Sequence, residues 1–146
     1  MLKLLIYYCF DDTNKSALIT LHTLMCRIDN FHDVMLDTHK FTLSNFDDFI
    51  KAAKANFKAC KEGEKWDDYV NVCASITGFV GCFQERSEDF QEIIVPLIRV
   101  CSDKIDRVRK NSAVLMAKLA MNENNKRLIT ANHGMEVLMS LQGQLL

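Results

Sequence analysis

Four residues in one short stretch have the side chains to hold a metal: His32, Asp33, Asp37 and His39. Imidazole and carboxylate are ordinary ligands for zinc and harder cations. On a helix Asp33 and Asp37 share a face, but the two histidines lie seven residues apart, partly in a loop. No zinc spacing results, so these residues read as solvated polar groups and no metal is expected. Acid–base chemistry would need carboxylates paired at a pocket. The three pairs present, Asp11-Asp12, Asp47-Asp48 and Asp67-Asp68, each precede or open a helix. There they favour the positive end of the helix dipole, worth about 0.3–1 kcal/mol each. No nucleophile motif, phosphate loop or cofactor fingerprint is present. The sequence therefore predicts no catalytic residues, no cofactor and no enzyme.

A second kind of chemistry is ionic recognition. Arg99, Lys104, Arg107, Arg109 and Lys110 gather near one corner, with Lys118, Lys126 and Arg127 beyond. Arg107 and Lys110 share a helical face, suited to an acidic partner segment; alternatively they pair with Asp103 and Asp106 as a solvated face. Aromatic residues are not interleaved with this patch for base stacking, which argues against nucleic acid.

The charge distribution agrees. The net charge is −1, but residues 1–92 carry 10 Lys/Arg against 15 Asp/Glu, and residues 93–146 carry 8 against 4. Such asymmetry steers a partner towards one end of an elongated molecule. Cys9, Cys26, Cys60, Cys73, Cys82 and Cys101 include no C-x-x-C pair, and most sit in apolar periodic stretches. There a reduced thiol behaves as a small hydrophobe, which predicts a cytoplasmic-type compartment. The opening MLKLLIYYCF is short and lacks a small-residue cleavage site, and no run reaches the length of a membrane span.

These residues must be positioned by helices. A 146-residue chain fits one domain, and one Pro and 5 Gly are too little punctuation for many short strands. Helical spacing of apolar residues is clear over 15–28, over 44–60 (Phe46, Phe49, Ile50, Ala53, Phe57) and over 66–83 (Tyr69, Val72, Cys73, Ile76, Phe79, Val80). Ser44 with Asp47 resembles a capping box. Gly78 and Gly81 disfavour their helix, and close approach of another backbone is the expected reason. Pro96 fits the first turn of a helix, which puts a boundary at Val95. In the last unit Val108, Ser112, Leu115 and Leu119 make one stripe, and Val114, Ala117 and Met121 a second. An arc so wide predicts a helix packed on two sides. Gly134 is expected to end the next short helix in the left-handed conformation.

The segments also resemble one another. Ala17, Ala74 and Ala113 open equivalent stripes, 57 and 39 residues apart. Residues 95–101 match 135–141, and residues 1–5 match 97–101. A period near 40 is that of stacked helical repeats. The predicted units are 1–36, 58–95 and 96–146, with an atypical helix over 37–57.

The string RVRKNSAVLMAKLAMNENNKRLITANHGMEVLMSL is similar to an armadillo repeat. It has an Ala-rich second helix, an Asn-rich corner, an apolar Leu-Ile pair, a Gly, and a closing apolar helix. The match is good over 106–141, fair over 66–101 and loose over 1–36, and residues 37–65 depart from it. The resemblance implies an all-α, right-handed superhelix of about 2.5–3 repeats, whose third helices line a concave surface that binds protein segments. Arg99 would then lie on the concave side. The W-x-x-x-N grip of importin-like members is absent, since Trp66 is followed by Asp67, Asp68, Tyr69 and Val70. Centriolar and ciliary scaffolds also carry degenerate repeats of this kind, which gives a cytoskeletal host as one expectation.

The function expected is a non-enzymatic scaffold module that binds an acidic or amphipathic segment of a partner protein. The alternative is self-association as a homodimer, or capping of a larger solenoid. It would act through apolar ends formed by Leu2, Leu5, Ile6 and Tyr7 and by Val137, Leu138 and Leu141. The chain opens in mid-repeat, which predicts a fragment of a longer solenoid. A third, weaker reading is nucleic-acid binding through the C-terminal basic patch.

Overall fold

The computed structural model describes residues 43–102 and 105–145. Expectations for the unit 1–36, for the cluster at His32, Asp33, Asp37 and His39, and for Leu2, Leu5, Ile6, Tyr7 and Lys104 lie outside these residues. Among the described residues every element is helical. In order they are α1 (Leu43–Glu62), α2 (Trp66–Cys82), a 3-10 helix (Gln84–Phe90), α3 (Gln91–Val100), α4 (Asp106–Leu119), α5 (Glu123–Ala131) and α6 (Gly134–Leu145).

The first pair of helices is joined by aromatic rings. Phe49, Ile50, Ala53, Phe57 and Cys60 of α1 are buried at helical spacing against Tyr69, Val72, Cys73, Ile76 and Phe79 of α2. Phe49 stacks on Phe79 at 4.7 Å between centroids, and Phe57 meets Tyr69 at 5.2 Å. Such pairs add about 0.5–1.5 kcal/mol beyond the area they bury. Phe79 also meets Phe83 and Phe90, so the same rings hold the 3-10 helix in place. Ser44 falls inside α1, and the Asp47 carboxylate that a capping box would use accepts a hydrogen bond from Arg86.

A long helix, a short helix and a further helix occur twice in succession, as α2, the 3-10 helix and α3, then as α4, α5 and α6. The two long helices lie side by side and parallel. Arg107 reaches Asp67 at 3.0 Å, Tyr69 Oη and Ser112 Oγ share a buried hydrogen bond of 2.8 Å, and Lys118 lies beside Gly81. Contacts therefore advance along both chains together. The short elements are joined similarly: buried Asn125 donates to the Ser87 carbonyl and hydroxyl, both at 3.0 Å.

Four sequence expectations need correction. Pro96 lies inside α3, not at its start, so the predicted boundary at Val95 falls within one continuous helix. A proline there removes the bond to the Glu92 carbonyl, but Glu92 is exposed to water, and burial of Ile93, Ile94, Leu97 and Ile98 holds the helix together. Of the two stripes on α4, only Val108, Ser112, Leu115 and Leu119 are buried; Ala117 is exposed, Val114 is 57% exposed and Met121 64%. The left-handed residue after α5 is His133, with φ 61°, while Gly134 opens α6. Glycine is needed at 134 for space, because a Cβ there would stand 2.6 Å from Ile129 Cγ2 and 3.0 Å from Ile98 Cδ1. At Gly81, finally, the close neighbour is the flexible Lys118 side chain and not a backbone.

Candidate binding groove

One side of α1 carries Lys51, Lys54, Lys58 and Lys61 at spacings of three and four residues, which places them in one row. Its inner face is fixed by Phe49, Ala53 and Phe57 in the core, and the row stands roughly a third of a turn round from them, on the flank of α1. Opposite it lies α3, which presents Glu92, Ile93 and Pro96. Between the two helices is a half-open groove of about 680 Å³, lined also by Ala55, Phe57 and Glu62.

The exposed lining is mainly apolar, and the lysines form its rim. Two of the four have carboxylate partners: Lys54 Nζ lies 3.5 Å from Glu92, and Lys58 Nζ 4.0 Å from Glu62. Lys51 and Lys61, at the two ends of the row, have no ionic partner among the described residues. Pairs this exposed are worth about 0–1 kcal/mol, so a ligand carboxylate can replace either one at little cost. Arg86 ties the start of α1 to the 3-10 helix: its Nε donates to Asp89 at 2.6 Å while Nη2 reaches Asp47. Burial works against the Arg86 cation, and the carboxylates of Asp89 and Asp47 outweigh it, so its pKa is raised.

The basic corner is already partly occupied. Arg107 pairs with Asp67 and Arg109 with Asp106, all near the openings of α2 and α4. Lys110 is exposed on α4, and Arg99 is exposed near the end of α3; neither has an ionic partner among the described residues. At the C-terminal end, Leu141 is only 6% exposed, and Val137 and Leu138 are half-buried against the core. They therefore form no open apolar face. Among the described residues, the large apolar side chains that do face outward are Ile105, Val114, Met121 and Met139.

Buried thiols lie in the core and not at the groove. Burial pushes Cys73 up to about 12, against a hydrogen bond with Tyr69, and pushes Cys101 up to about 12. Tyr69 is likewise raised by burial and then by the neighbouring Cys73. At neutral pH these groups are neutral, and a thiol is a poor nucleophile in that form. Among the described residues, Cys60, Cys73, Cys82 and Cys101 form no disulfide. Among the described residues no group of three or more metal-ligating side chains converges, and no helix is long and apolar enough to cross a membrane.

The helical stripes of α1 and α2 could be read from sequence. The lysine rim could not, because α3 supplies the opposite wall. Comparisons with protein-family models, with curated proteins and with solved structures found no match.

Proposed function

We propose that this chain is a non-enzymatic interaction module, built of stacked helical repeats of the armadillo kind, that receives a segment of a partner protein. The observation that carries this reading is the lysine-rimmed groove between α1 and α3. An apolar floor supplies burial, and a charged rim supplies orientation and encounter rate, the division of labour found at protein interfaces. Right-handed superhelical stacking and a cytoplasmic, cytoskeletal setting belong to the same proposal; the parallel packing of α2 and α4 supports the stacking. The test is affinity capture with the wild-type chain, with Lys51→Glu/Lys61→Glu and with Arg107→Glu/Lys110→Glu. Loss of a captured protein in the first variant alone supports the groove. Loss in the second alone moves the site to the basic corner.

Self-association is a second reading, favoured by the outward Val114, Met121 and Met139. Light scattering at tens of micromolar decides it, since a strict monomer excludes a homodimer.

A further inference from the structure

The chemistry of the groove restricts its occupant further, on the reading that the groove is a partner site. Lys51 and Lys61 stand at opposite ends of the row, about 15 Å apart along the α1 axis at 1.5 Å per residue. They are the two rim charges without a partner among the described residues, whereas Lys54 and Lys58 between them are matched by Glu92 and Glu62. The demand for negative charge is therefore at the ends, and the middle presents Ala55 and Pro96.

We infer that the groove takes an acidic amphipathic α-helix of about three turns, laid along α1. Its carboxylates would stand about three turns apart, one for Lys51 and one for Lys61, with an apolar stripe between them against Ala55 and Pro96. A helix fits better than an extended strand for two reasons. The lysine row repeats every three to four residues, the spacing at which a packed helix presents its own side chains. A half-open trough beside a helix also has no sheet edge to hydrogen-bond an extended backbone, which a strand would need. Nucleic acid fits poorly, since Glu62 and Glu92 would face closely spaced phosphates and Phe57 is too deeply buried to stack on a base.

The test is fluorescence anisotropy on the full chain with a labelled synthetic peptide bearing Glu at both ends of a helical Leu stripe. Control probes are the same peptide with Glu replaced by Gln, the same composition with a central Pro, and a single-stranded oligonucleotide. The expected result is saturable binding of the first peptide, weakened at least tenfold in Lys51→Gln/Lys61→Gln, with the three controls weak. Circular dichroism checks that the variant is folded, and Lys51→Arg/Lys61→Arg should retain binding. Equal binding of the Pro-interrupted peptide, or tighter binding of the oligonucleotide, overturns the helical occupant. So does binding unchanged in the Gln variant, or no binding of the acidic peptide. If the protein captured by the wild-type chain is lost with Lys51→Glu/Lys61→Glu while the acidic peptide fails to bind, only the occupant is wrong. If capture is also unchanged, the groove itself is wrong.

Discussion

Gly134 shows how a single residue can be recognised from sequence and still be assigned the wrong role. Its position after a short helix suggested a left-handed cap, yet His133 takes that conformation. What requires glycine is the closeness of Ile129 and Ile98. A side chain's absence can serve conformation or space, and only the packed neighbours tell which. Gly134→Ala should therefore destabilise the fold by about 1–3 kcal/mol through overpacking, read as a lower denaturation midpoint. An unchanged midpoint would mean that Ile129 and Ile98 yield freely. The thiols give a second prediction at this scale. Cys101 ordinarily ionises near 9, and burial raises it to about 12. A raised value means that the folded chain holds the proton more tightly. Its contribution to stability is thus complete below pH 9 and is lost as the pH rises from there towards 12. Urea denaturation across this window should show falling stability, with a shallower fall in Cys101→Ala.

At the scale of elements, the long periodic helices were the most legible part. The boundaries expected for α2 differ from those found by one residue, because eight buried positions repeat at helical spacing. Pro96 was misread because a local penalty was weighed without the apolar residues on both sides of it, which α3 buries in the core. The α4 stripes were misread for another reason: apolar type does not compel burial, and much of any folded surface is apolar. Two substitutions separate the stripes. Leu115→Ala removes a fully buried side chain and should cost about 2–5 kcal/mol, whereas Val114→Ser should stay within about 0.5 kcal/mol. A large loss at Val114 would show that the second stripe is packed after all. The corner before α5 is set by Asn122, whose side chain accepts from the backbone N–H groups of Asn124 and Asn125, both at 3.0 Å. Asn122→Ala should cost about 1 kcal/mol in thermal denaturation.

For the whole molecule, the groove could not be read from sequence because it belongs to no single segment. Lys51, Lys54 and Lys58 line one side of a single helix, and such a polar side is ordinary. It becomes a rim only because the 3-10 helix, held by Phe79 and Phe90, returns α3 alongside α1. The basic corner, by contrast, was conspicuous in sequence, and two of its cations are engaged by Asp67 and Asp106. Clustering along the chain is thus a weaker guide to a free site than the pairing that folding brings about. The most direct measurement is lysine-reactive cross-linking of the chain bound to its captured protein, with the linked sites located by mass spectrometry. The account predicts that partner cross-links concentrate on Lys51, Lys54, Lys58 and Lys61. Cross-links concentrated on Lys110, Lys118 and Lys126, with the α1 row unmodified by partner, would contradict it.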